Sequence, residues 1–142
     1  MKAAVAARLV KVQNPMSKNN RGAFRRQGRE VNMPFYLTQA KLSKDAIQAM
    51  MAKPQDRSGP VGKLLEAVGG KLHHYFFAFG EYDVVLLYEA PDNASAAAPL
   101  LTAVGAGSVA ASKTTVLMSM DEAMTGMRKA SAARGRYQPP GS

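Results

Sequence analysis

The chain has 142 residues, 46% of them apolar, enough for one domain with tails and too many for global disorder. It holds no cysteine, which excludes disulfide staples, thiolate metal sites and cysteine nucleophiles and suits a reducing, cytoplasmic setting. The net charge of +9 is concentrated: residues 1–32 hold eight of the nineteen Lys and Arg against Glu30 alone, which leaves the remainder at +2.

Residues 1–32 show no sustained periodicity and contain Asn14-Pro15, Asn19-Asn20 and Gly22, so they read as a basic, disordered arm or an extended start. Such an arm binds polyanions weakly through counterion release, and with Phe24 as its only aromatic residue it offers no stacking platform. The apolar stretch 3–7 is cut short by Arg8, and residues 93–112 are mostly Ala, Ser and Gly, so neither a secretory leader nor a membrane span is expected.

Order is expected from Met33-Pro34. Residues 35–40, rich in β-formers, make a first strand. Ser43 is placed to cap a helix striped by Ile47, Met50 and Met51. Pro54 and Gly59-Pro60 interrupt it, and Val61, Leu64, Leu65 and Val68 resume the spacing until Gly69-Gly70 ends it. Residues 71–79 and 82–90 form two strands around Gly80-Glu81, where a glycine that takes positive φ at little cost suits a type II′ turn. Asp92 is placed to cap a helix striped by Ala97, Leu101 and Val104, with Pro99 predicting a kink or late start. Residues 109–118 form the fourth strand. The run from Ser119 to Glu122 is a capping box, opening a last helix with Met120, Met124 and Met127 on one face, where they read as packing residues. The domain therefore spans 33–130, and 131–142 read as a disordered tail. The order βαββαβ defines an α+β, ferredoxin-like fold: an antiparallel four-stranded sheet with helices on one face, plus a short C-terminal helix.

A two-residue turn sets Phe79 opposite Tyr82, Phe77 opposite Val84, Tyr75 opposite Leu86 and His73 opposite Tyr88. One face then carries Tyr75, Phe77, Phe79, Tyr82 and Tyr88; the other carries Leu72, His74, Phe76, Ala78, Asp83, Val85, Leu87 and Glu89. Both faces are apolar, and the chain is too short to supply a second sheet. The face without helices therefore calls for another copy of the chain, in a homodimer or higher oligomer.

The run Gly80-Glu81-Tyr82-Asp83-Val84-Val85, followed by Glu89-Ala90-Pro91-Asp92, resembles the diagnostic stretch of GYD-domain proteins. Gly69-Gly70-Lys71 and the opening Met33-Pro34-x-Tyr36 fit the same pattern, so the resemblance covers about residues 33–120. It implies a ferredoxin-like domain related to dimeric α+β barrel proteins, and little about activity. Pro99 and the basic arm depart from the pattern.

Asp83 is a carboxylate beside Val84 and Val85 on a mostly apolar face, costly unless paired. It either serves a ligand as anchor or base, in a cavity between the sheet and its partner, or makes a structural hydrogen bond that pins the hairpin or the oligomer. His74 and Phe76 on the same face, with Tyr82 at the turn, complete the candidate ligand-binding set. His74 stands opposite Leu87, roughly 13 Å along the strand from Asp83, so the two form no dyad. His73 and His74 are adjacent on a strand and point to opposite faces, so no metal site is expected, and no cofactor. Gly105-x-Gly107 follows a helix and precedes a strand, the reverse of a dinucleotide fingerprint. These readings favour a small homo-oligomeric module that binds a small apolar ligand or serves regulation. A cofactor-free small-molecule enzyme, monooxygenase- or isomerase-like, is the alternative and rests on fold analogy. Polyanion binding through the arm stands third.

Overall fold

The structure is a computed structural model that describes residues 24–26 and 29–142, with side chains from Asn32 onward. It divides the chain into two units, Met1–Asn32 and Met33–Ser142. In the first, strands β1 (Phe24–Arg26) and β2 (Arg29–Val31) pair antiparallel. The reading of the rest of that segment as a disordered arm lies outside the described residues.

The second unit runs β3 (Phe35–Leu42), α1 (Lys44–Ala52), α2 (Ser58–Ala67), β4 (Lys71–Phe77), β5 (Val84–Glu89), α3 (Asn93–Gly105), β6 (Val109–Leu117) and α4 (Met120–Ala133), then a 3₁₀ turn at Arg134–Arg136. The sheet order is β4-β5-β3-β6 with every neighbouring pair antiparallel. This is the ferredoxin-like arrangement, with the first and third of its four strands at the centre.

Local chemistry sets the boundaries. The Ser43 hydroxyl accepts the Ala46 N–H (3.1 Å), the Asp92 carboxylate accepts that of Ser95 (2.7 Å), and Ser119 and Glu122 complete a reciprocal box. α2 ends where Gly69 takes φ +81°. Gly70 answers a different need. A Cβ there would lie 2.6 Å from the Glu89 carbonyl oxygen and 3.2 Å from that of Leu65, so the chain can re-enter the sheet only with a bare backbone. Pro99 neither breaks nor delays α3, which runs from Asn93 to Gly105 with Pro99 buried.

The hairpin departs from expectation in two places. Phe77 does face Val84 and Tyr75 faces Leu86, but the ladder then slips, so that Leu72, not His73, is opposite Tyr88. This β-bulge at His73 moves Leu72 to the helix-covered side, where it packs against Gly62 of α2. It also puts His73 on the same face as His74: the His73 ring lies 5.3 Å from that of Phe35 and its Nε2 is 2.8 Å from Glu89, whereas His74 stacks on Phe76 at 5.7 Å. At the other end the strands stop at Phe77 and Val84, and the Ala78 N–H donates to the Asp83 carbonyl. Phe79 and Tyr82 thus belong to a loop wider than a two-residue turn, with Phe79 fully exposed and Gly80 at φ +142°.

Helices cover the face that presents Tyr36, Thr38 and Ala40 from β3 and Val84, Leu86 and Tyr88 from β5. The core joins Tyr36, Leu65, Tyr88, Ala90 and Ala96. The buried side of α3 is Ala96 and Pro99, whereas the expected stripe of Ala97, Leu101 and Val104 faces outward, with Leu101 69% exposed. Small side chains let this helix lie close to the tyrosines beneath it. Met120, Met124 and Met127, expected to pack, are exposed on an α4 that buries no residue.

Gly70→Ala is expected to destabilise the domain by about 1–3 kcal/mol, because the new methyl meets backbone. Gly59→Ala, where a Cβ would meet nothing within 4 Å, is expected to be neutral or stabilising by up to about 1 kcal/mol. Urea denaturation of both variants checks the contrast.

Candidate functional site

The helix-covered face is organised around Tyr88. Its ring stacks on Tyr36 at 5.5 Å, and its hydroxyl donates to the Ala96 carbonyl of α3 (3.3 Å). That single proton being used, the Tyr88 oxygen accepts from Thr38 (3.1 Å), and Thr38 in turn accepts from Thr114 of β6 (2.8 Å). A hydroxyl chain therefore runs from the edge strand through the centre of the sheet to the helix above it. Tyr36 adds a second tie, donating to Asn93 Oδ1 at 2.8 Å. Burial, then the neighbouring Tyr88 and Asp92, hold the Tyr36 phenol above its ordinary pKa, so it stays a neutral donor.

Beside this tie lies a cavity of about 400 Å³ between sheet and helices. Ala40, Leu42, Val84, Leu86 and Tyr75 form its floor; Ala46, Ala49 and Met50 of α1, Val61, Leu64 and Leu65 of α2, and Ala96, Pro99, Leu100 and Ala103 of α3 form its walls. The cavity exists because alanine stands where a packed core would place leucine or isoleucine. α1 buries none of its residues, so it lines the space without filling it. Gln55, Arg57 and Pro60, around the α1–α2 connection, also line the cavity and are exposed, so it opens to solvent there. Burial raises the Tyr75 phenol, partly offset by the Arg57 guanidinium nearby.

None of the four candidates read from the sequence lines this cavity. His74 and Phe76 lie together on the face without helices, both exposed. Tyr82 sits half-buried in the hairpin loop. Asp83 is separate from all three: its Oδ2 accepts the Leu42 N–H at 2.8 Å, and its own N–H donates to the Ala40 carbonyl at 3.0 Å. These bonds pin the hairpin to the end of β3, the geometry of the structural alternative. Among the described residues no group of three or more His, Asp or Glu could hold a metal ion, and no helix is long and apolar enough to cross a membrane.

The GYD-domain family model matches residues 36–126, well over half of the chain, and the chain belongs to that family. The crystal structure of MtbAldR is similar with 15% identity and a TM-score of 0.43, covering 80% of this chain and 67% of that one, a likeness too distant to inform function. No curated protein matches the chain.

Asp83→Leu leaves the Leu42 N–H without its acceptor and is expected to cost about 1–3 kcal/mol, whereas Asp83→Asn keeps an acceptor oxygen and most of the stability. Equal losses, measured by chemical denaturation, would mean that the negative charge, not the hydrogen bond, is what matters.

Proposed function

We propose that this protein is a self-associating module that binds a small apolar ligand, held in the cavity between the sheet and its helices. The observation that carries the reading is the cavity itself. Its volume falls within the range of small-molecule sites and its lining is mainly apolar. An unfilled apolar space forgoes dispersion contacts that an apolar ligand would supply. Among the described residues no carboxylate or histidine lines it, and on that ground we favour binding over the enzymatic alternative.

Self-association rests on the opposite face. Phe35, Leu37, Val85, Leu87, Phe76 and Leu117 alternate along their strands with the buried set and so share the side without helices. Phe35 is 40% and Phe76 59% exposed. A second copy presenting the same face covers this surface isologously. Cavity and interface then lie on opposite sides of one sheet, so a ligand need not disturb the assembly.

Two variants separate the parts of this reading, with N-phenyl-1-naphthylamine as a neutral apolar fluorescent probe. Ala103→Phe fills the cavity and is expected to weaken probe binding at least about tenfold without lowering the melting temperature, since it replaces ligand contacts with protein contacts. Leu87→Glu places a charge on the helix-free face and is expected to convert the assembly to monomers in sedimentation velocity while the probe still binds. A probe that ignores Ala103→Phe and is lost with Leu87→Glu would place binding on the exposed sheet face.

A further inference from the structure

Resting on that reading, we infer that the ligand is an apolar monocarboxylic acid, its body in the cavity and its carboxylate at Arg57. The cavity is apolar over most of its lining and polar at its rim, the pattern that suits an amphiphile with one charged end. Arg57 supplies the charge. Its Nη1 donates to Gln55 Oε1 at 3.1 Å, and Gln55 in turn donates from Nε2 to the Lys53 carbonyl at 3.3 Å. The guanidinium is thus oriented by a neutral amide and not by a carboxylate.

The nearest acidic residue in sequence keeps its negative charge but directs it to the start of α2. The Asp56 Oδ1 accepts the Ser58 N–H at 2.8 Å, and hydrogen bonds from the Ser58 side chain and backbone hold its carboxyl below the usual range. The His73–Glu89 contact lies on the other face of the sheet. Arg57 is therefore a positioned cation at the mouth of an apolar space, with no carboxylate among the described residues in ion-pair reach. It lies near the half-buried Tyr75 phenol of the cavity floor, whose pKa it pulls down against burial while Asp56 acts the other way.

The ligand's charge follows from the count of cations. A single guanidinium presents parallel N–H donors that match one carboxylate, whereas a phosphate dianion calls for more positive charge than the rim provides. A neutral alcohol or hydrocarbon would leave Arg57 unused. A cation would be repelled by it.

Isothermal titration calorimetry of the full chain with decanoate and with decan-1-ol tests this. The wild type is expected to bind decanoate more tightly than decan-1-ol. Arg57→Gln is expected to weaken decanoate roughly ten- to a hundredfold, the loss of a charge-assisted hydrogen bond, while changing decan-1-ol less than about threefold. Arg57→Lys, which keeps charge but not the fork, is expected to fall between. Equal binding of the two probes, or decanoate binding untouched by Arg57→Gln, would overturn the inference while leaving an apolar site standing. Failure of both alkyl probes where N-phenyl-1-naphthylamine binds would overturn it too. Failure of all three would remove the ligand-binding reading with it.

Discussion

The fold and its cavity both depend on how Tyr88 meets α3. A phenol standing on the central strand and bonded at its tip to the Ala96 carbonyl sets the height of the helix above the sheet. Tyr36, stacked beside it and tied to Asn93, fixes the same helix at its first turn. Two tyrosines therefore anchor the close-lying α3 near its first turn, while alanines line the space beyond. The space of about 400 Å³ that results opens to solvent at the α1–α2 connection.

The two faces of the sheet carry different demands. The helix-covered face satisfies its buried polar groups internally, and no buried side-chain nitrogen or oxygen among the described residues lacks a partner. The other face offers half-exposed apolar side chains bordered by Lys41, Lys113 and the His73–Glu89 pair. Such a rim is compatible with a surface that closes against a copy of itself, because charges at its edge remain hydrated. Asp83 contributes to both sides indirectly: by accepting the Leu42 N–H it keeps the hairpin flush with β3.

Much of the architecture was legible in the sequence because it is written in local chemistry. Ser43, Asp92 and Ser119 are caps wherever they precede a helical stripe, and Gly69-Gly70 is a stop whatever the rest of the fold. The hairpin was legible only near its middle. A bulge at His73 leaves no compositional mark, since its cause is long-range fitting of β4 to the sheet rather than any local preference. The stripe on α3 was misplaced for a related reason: leucine and valine look like core residues, but close approach to a tyrosine-bearing sheet selects alanine and proline. The cavity itself has no residue signature, because it consists of volume that side chains do not occupy. Its one available signal was the alanine-rich run at 94–98 together with Ala46 and Ala49, which marks helices too slender to fill the space beneath them. Sequence reasoning instead went to Asp83, His74, Phe76 and Tyr82, whose chemistry is visible residue by residue.

A ligand held under the helices and one held on the open sheet face would touch different methyl groups. Intermolecular NOEs between unlabelled decanoate and the uniformly ¹³C-labelled protein distinguish the two most directly. Contacts are expected from the alkyl chain to the methyl groups of Leu64, Leu100 and Val109, which line the cavity. Contacts confined to Leu37, Val85 and Leu87, on the face without helices, would contradict a ligand held under the helices.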